Sequence, residues 1–319
     1  MTPLIVDTDP GVDDAFALAV AALAPEVDLR AVTTVHGNVA VEQTTENARR
    51  LLGTFGRPDV PVGRGAGRPL VHLLGRRPGR LSGADVHGDD GLGGRSGDFG
   101  PPVDESELRA VALMASVIEA SEEPVTIAAI GPFTNIATLL SARPDLEERI
   151  GRFVLMGGSI AYGGNVSAAA EFNVWGDPEA ARRVLTGSSV STTMVPLDLT
   201  MRITLTGDWL DGLAATGPVG AALASTREAY LAAYSARFGH AAMAVHDAVA
   251  LLEAITPGTV STTPLPVDVD TSTGPGRGTT IGDLRGAEAE ATDGARPVEV
   301  ALDADADAVR AELWRRLSG

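Results

Sequence analysis

The chain reads as an α/β protein built on a mainly parallel sheet with helices on both faces. Three observations predict this. Short, almost wholly apolar runs recur along it: Leu4-Ile5-Val6, Val125-Thr126-Ile127-Ala128-Ala129-Ile130 and Phe153-Val154-Leu155-Met156. A strand that is apolar at every residue is one buried on both faces, as parallel strands are. Segments of helical periodicity separate these runs, so strand and helix alternate. The residues able to do chemistry follow the runs directly, and Rossmann-like sheets bind their ligands at the C-terminal ends of their strands.

Taken in order, Leu4-Ile5-Val6 is a buried strand that runs into Asp7-Thr8-Asp9-Pro10-Gly11-Val12-Asp13-Asp14. Pro10 and Gly11 make the turn, and Asp13 and Asp14 open a helix through Leu23. Asp28 to Val35 reads as the second strand, ending in His36-Gly37-Asn38. A helix follows over Val41 to Phe55, and Val60-Pro61-Val62 is a short strand. From Gly63 to Pro102 the chain is rich in Gly, Arg and Asp, with Asp85-Val86-His87-Gly88-Asp89-Asp90-Gly91 at its centre; a stretch that long without periodicity reads as a functional loop or as disorder. Residues 106–120 are helical in pattern. The strand Val125 to Ile130 leads to a helix beginning at Gly131-Pro132-Phe133-Thr134-Asn135. Phe153 to Met156 runs into Gly157-Gly158, Asp177-Pro178-Glu179 starts a helix to Leu185, and Ser189 to Val195 is a strand. Residues 206–239 read as wholly helical, and Ala241 to Ala254 carries His246-Asp247 at the start of an apolar helix. The tail, 265–303, is expected to be strands and turns, closed by a helix to Leu317. With no internal repeat and no clear linker, residues 1–319 are expected to form one domain.

Of the 319 residues 44% are hydrophobic and 21% charged, and the net charge is −17. That acidity argues against nucleic acid or an anionic membrane as partner. Cysteine is absent, which excludes disulfides, zinc–thiolate sites, iron–sulfur clusters and thiol nucleophiles. Lysine is absent too, all 25 basic residues being arginine, so Schiff-base chemistry and a Walker A lysine are excluded. No apolar run approaches the ~20 residues of a membrane span, and the acidic N-terminus does not resemble a signal peptide. A cytoplasmic protein is expected.

Four carboxylates within Asp7 to Asp14 exceed what helix capping requires. Like charges that close call for a bound cation or shifted pKa values. An EF-hand fits badly, since the sixth residue from Asp7 is Val12 and the twelfth is Leu18. An Asp-nucleophile phosphatase usually enlists a lysine, which this chain lacks. A glycosidase-like reaction needs a base for water, stabilisation of an oxocarbenium ion and an acid for the leaving group; Asp9 could be the base and His246 the acid. Singly, the distant residues have plainer readings: His246 as a helix-start or core histidine, Asp247 as an N-cap, Glu171 as an exposed turn residue, His87 as surface. Asn165 and Asn38 read equally as turn residues, and Met156 as core.

Together they say more. Asp7-Thr8-Asp9-Pro10-Gly11-Val12-Asp13-Asp14 closely resembles the N-terminal signature of the inosine–uridine-preferring nucleoside hydrolases. The resemblance continues through Val35-His36-Gly37-Asn38, Gly131-Pro132-Phe133-Thr134-Asn135-Ile136-Ala137 and Val154-Leu155-Met156-Gly157-Gly158. It extends to Ala170-Glu171-Phe172-Asn173, Asp177-Pro178-Glu179-Ala180-Ala181 and Val245-His246-Asp247, all in the family's order. The resemblance implies a single Ca²⁺ held by Asp9, Asp14, Asp247 and the main-chain carbonyl of Ile130. It implies Asp9 as the base for the attacking water. Asp13, Asn38 and Asn173 would hold the ribose hydroxyls together with the metal and its ligand Asp247, Asn165 and Glu171 the 5′-hydroxyl, and Met156 would line the ribose pocket. His246 would assist the leaving base, with His87 and Tyr234 beside it. The family is usually dimeric or tetrameric, so a homodimer or homotetramer is expected. Three positions depart from the pattern: Ala248 stands where many relatives have proline, Ile130 replaces a hydroxyl residue found in some members, and Trp175 is bulky enough to narrow the pocket or fill an interface. The function expected is calcium-dependent hydrolysis of ribonucleosides to ribose and free base. The alternatives are a non-catalytic nucleoside- or ribose-binding protein on the same fold, a phosphatase, or a calcium-stabilised structural protein.

Overall fold

The computed structural model describes residues 1–71, 83–286 and 297–319. The chain opens with β1 (Thr2–Thr8), α1 (Val12–Leu23), β2 (Val27–Thr34), α2 (Val41–Thr54) and β3 (Val62–Arg64). It continues through α3 (Gly83–His87), α4 (Ala110–Ala120), β4 (Val125–Ala129), α5 (Thr134–Ala142) and β5 (Ile150–Met156). Then come α6 (Phe172–Gly176), α7 (Pro178–Gly187), β6 (Thr192–Val195), α8 (Leu197–Thr200), β7 (Thr204–Thr206) and α9 (Gly207–Ala214). They are followed by α10 (Pro218–Ser225), α11 (Arg227–Phe238), β8 (Ala242–Ala244) and α12 (His246–Ile255). The last elements are β9 (Ser261–Leu265), β10 (Val267–Val269), β11 (Thr280–Gly282), β12 (Val298–Asp303) and α13 (Ala306–Leu317).

An eight-stranded sheet in the order β3-β2-β1-β4-β5-β6-β12-β9 forms the centre. Every neighbouring pair is parallel except β12 and β9 at one edge. The apolar runs that predicted these strands divide residue by residue between two cores. Leu4, Val6, Ala128, Val154 and Met156 face one side, and Ile5, Ile127, Ala129, Phe153 and Leu155 the other. The period-2 alternation of a strand explains the division. Burying each large side chain contributes roughly 1.5–3 kcal/mol, which is why both faces must be covered. α1 and α12 pack together on the first side, whereas α4, α5 and α7 cover the second. No helix among the described residues is long and apolar enough to cross a membrane.

The predicted architecture is present, with local differences. The stretch from Gly63 to Pro102 is less loop-like than expected: it contains most of β3, the short α3 and a 3₁₀ turn over Ser96–Asp98. Its residues 72–82 lie outside the described residues, as do 287–296 of the tail. Residues 206–239 are helical as expected, but divided into α9, α10 and α11; Pro218 begins α10 at its first turn and has no N–H for a continuing helix. The last of these, α11, stops at Gly239, which takes the left-handed conformation with φ of 73°. α12 begins at His246, as expected, and the segment before it is the strand β8, paired antiparallel with β7.

Candidate active site

The strands place the polar motifs at one edge. Asp9 follows β1, Asn38 follows β2, Ile130 follows β4, and Met156 ends β5. Since β2, β1, β4 and β5 are consecutive in the sheet, residues far apart in sequence meet above its centre. They line a cavity of about 390 Å³ whose walls include Asp9, Asp13, Asn38, His87, Ile130, Met156, Asn165, Glu171, Asn173, Tyr234, His246 and Asp247. Of the predicted site residues only Asp14 is outside that lining, packed directly behind it. Trp175 is not in the wall, so it does not narrow the cavity.

Hydrogen bonds lock the acidic turn. The Asn38 N–H donates to Asp9 Oδ2 at 2.7 Å, and Asn38 Nδ2 donates to the Asp9 carbonyl and to Asp14 Oδ2, both at 3.1 Å. Asp14 also accepts from the Thr8 hydroxyl at 2.5 Å and the Gly11 N–H at 2.8 Å. Asp9 is squeezed between two glycines: a Cβ on Gly37 would lie 1.8 Å from its Oδ2, and one on Gly131 2.5 Å from its Oδ1. Asp7 is turned away from the cavity, its Oδ1 accepting from the Thr33 hydroxyl at 2.6 Å and Asn135 Nδ2 at 2.8 Å. Its Oδ2 is buried with no hydrogen-bond partner among the described residues.

The carboxylates raise one another's pKa. Burial, and then the charge of Asp14, lift Asp9 well above the usual carboxylate range and Asp13 to about 7. Burial lifts Asp14, and burial followed by the charges of Asp13, Asp14 and Asp9 lifts Asp247 well above its ordinary value. Among the described residues no arginine lines the cavity to offset this charge. Oxygens of Asp13, Asp14 and Asp247 lie within 4.8 Å of one another. An all-oxygen, strongly anionic and buried donor set suits a hard divalent cation, so the residues fit the metal that the signature implies. Asp9 stands beside this cluster, with Asn38 on one of its oxygens.

The far walls are equally constrained. Asn173 Nδ2 donates to the Ile130 carbonyl at 2.9 Å and the Met156 carbonyl at 3.1 Å, joining α6 to the ends of β4 and β5. Glu171 is buried and caps α6, accepting from the Asn173, Gly158 and Val174 N–H groups at 2.9, 2.9 and 3.1 Å. Burial still raises its pKa to about 7. Asn165 Oδ1 is a buried acceptor without a partner among the described residues.

Opposite them stands an aromatic wall. The rings of His87 and Tyr230, Tyr230 and Tyr234, and Tyr234 and Phe238 lie 5.1, 4.8 and 5.6 Å apart. His87 Nδ1 accepts from the Val12 N–H at 2.9 Å, and burial lowers its pKa to about 3, so the ring is neutral. His246 Nε2 is 2.6 Å from the Tyr234 hydroxyl.

All the predicted site residues therefore converge. Sequence reasoning missed Tyr230, which lines the cavity beside His87 and Tyr234. Its spacing of four from Tyr234 on a helical segment was the signal available.

The comparisons agree with this geometry. The model of the inosine-uridine preferring nucleoside hydrolase family matches residues 4–311. Over 307 residues the chain is 39% identical to the non-specific ribonucleoside hydrolase RihC of Escherichia coli (strain SMS-3-5), covering 95% of this chain and 94% of that one. Identity to the RihC of Escherichia fergusonii is 38% over 307 residues, with the same 95% and 94% coverage. The fold matches a plant nucleoside hydrolase with a TM-score of 0.91 at 31% identity, covering 100% of this chain and 99% of that one. It matches a purine-preferring ribonucleoside hydrolase from Gardnerella vaginalis with a TM-score of 0.89, also at 31% identity, covering 100% and 98%.

Proposed function

The chain belongs to the inosine-uridine preferring nucleoside hydrolase family and is a hydrolase acting on N-glycosyl compounds, and from that premise we propose that it converts ribonucleosides and water to ribose and free base with the aid of Ca²⁺. The observation that carries the metal requirement is the buried group Asp9, Asp13, Asp14 and Asp247, lifted in pKa by burial and by mutual repulsion, in a cavity with no arginine among its described wall residues.

Asp9, Asp14, Asp247 and the Ile130 carbonyl would hold the Ca²⁺, whose chemistry there would be to order and acidify the attacking water and to bind the sugar hydroxyls. Asp9 takes the proton of that water as it attacks C1′. Asp13, Asn38 and Asn173 bind the ribose hydroxyls, Asn165 and Glu171 bind the 5′-hydroxyl, and Met156 packs against the sugar. The unpartnered Asn165 Oδ1 supports this placement, because a buried acceptor costs about 1–3 kcal/mol when unpaired. As the N-glycosidic bond breaks, its electron pair goes to the base, and surrounding carboxylates favour the oxocarbenium ion left behind. The His246–Tyr234 pair supplies the proton that the departing base needs, beside His87. On the same reading residues 1–319 form one catalytic domain, and the protein works in the cytoplasm as a homodimer or homotetramer.

The test incubates purified protein with inosine, uridine and a phosphate ester, with and without chelator. Release of reducing sugar from a ribonucleoside that stops on chelation and returns with Ca²⁺ is expected. No release from either ribonucleoside would leave a non-catalytic binding protein, and turnover of the ester alone a phosphatase.

A further inference from the structure

The imidazole of His246 has a partner on each nitrogen. The Tyr234 hydroxyl lies 2.6 Å from Nε2 on the cavity side, and the Thr200 hydroxyl lies 2.7 Å from Nδ1 on the opposite side. Thr200 is fully buried, does not itself line the cavity and is the last residue of α8, just beyond the C-terminal end of β6. Its own position is firm: its N–H donates to the Pro196 carbonyl at 3.1 Å, and Arg202 and Ile203 N–H groups donate to the Leu199 and Thr200 carbonyls at 2.9 and 3.1 Å. A buried hydroxyl with no role would cost free energy unless hydrogen-bonded. Valine, of nearly the same shape, would fill that space without the hydroxyl.

We propose that Thr200 is a positioning residue for the reaction: it fixes the ring plane of His246 through Nδ1, so that Nε2 and the Tyr234 hydroxyl face the departing base. A ring held at one nitrogen only can rotate about its side-chain bonds, and hydrogen-bonded partners of functional imidazoles set both orientation and tautomer. This inference rests on the role assigned above to His246, and it goes beyond that role by naming what holds the ring.

The experiment measures kcat and KM of wild type, Thr200→Val, Thr200→Ser, His246→Ala and the Thr200→Val/His246→Ala double variant. Each is assayed on inosine and on 4-nitrophenyl riboside, whose leaving group departs without a proton. Thr200→Val should lower kcat on inosine by about 10- to 100-fold, with KM little changed and a far smaller loss on the aryl riboside. Turnover of the aryl riboside also shows that the variant is folded. Thr200→Ser, which keeps the hydroxyl, should restore most of the inosine rate. The double variant should be no slower on inosine than His246→Ala alone, because the two residues act as one unit. Equal losses of Thr200→Val on both substrates, or a serine variant as impaired as valine, would overturn the inference while a selective His246→Ala still upheld the histidine's role. If His246→Ala itself slowed both substrates equally, the leaving-group reading would fall and the inference with it.

Discussion

Gly37 and the Asp9 carboxylate are in such close approach that a methyl group on the glycine would lie 1.8 Å from Asp9 Oδ2. Asp9 has no room to retreat, because Asn38 holds that oxygen and Gly131 closes the other side. Gly37→Ala is therefore expected to displace the base and lower kcat on inosine by about 100-fold, as angstrom-scale misplacement does. Steady-state kinetics with a circular-dichroism check of folding measures it; a variant within a few-fold of wild type would move the base elsewhere.

Calcium should stabilise the folded chain. A ligand that binds only the native state adds about 2.7 kcal/mol at a hundredfold excess over its Kd. The melting temperature of wild type is expected to rise with added Ca²⁺ and fall with chelator. Asp14→Asn and Asp247→Asn should each blunt that response and weaken binding in a calorimetric titration. An unchanged response in both would deny those carboxylates the metal.

Removing the Tyr234 hydroxyl leaves its ring free to stack on Tyr230 and Phe238. Tyr234→Phe is expected to retain nucleoside binding and lower kcat on inosine by about 10-fold or more, within the range of positioned proton transfer. A loss expressed wholly in KM would count against a part in base departure.

Sensitivity to acid follows from His36, which is partly buried, and His87, which is buried. Burial lowers His36 from 6.5 to about 4 in the folded chain, and lowers His87 to about 3. The unfolded chain then binds protons that the folded chain refuses. Stability present above pH 6.5 is lost as pH falls, and the His36 share is fully lost below about 4. His36→Gln should flatten the fall between those limits in chemical denaturation. An unchanged slope would mean that His36 is charged in the folded chain.

The sheet was legible because its strands are apolar at nearly every position, so Leu4 to Val6 and Phe153 to Met156 have no other place than a two-faced core. The site was legible where carboxylates crowd, at Asp9 to Asp14, since like charges brought together need an explanation. Thr200 and Tyr230 were not: neither carries charge, and each meets the site only through tertiary packing of α8 and α11. α3 escaped because five residues with a leading glycine show no periodicity, and yet this turn of helix delivers His87. The breaks within 206–239 lay in view at Gly217-Pro218, hidden only by the apolar pattern around them.

The four residues of α8 also serve two walls of the cavity. Asp198 accepts from the Ile160, Ala161 and Tyr162 N–H groups at 2.8, 2.7 and 3.0 Å, at the root of the loop that carries Asn165. Two residues on, Thr200 holds the ring of His246. The loop proposed to grip the 5′ end of the sugar and the ring proposed to face the base thus hang from one short rigid bracket. Such a bracket acts as a ruler laid across the nucleoside. A substrate of different span must bend to the protein, and lengthening or shortening the ruler by one residue would disturb both grips together.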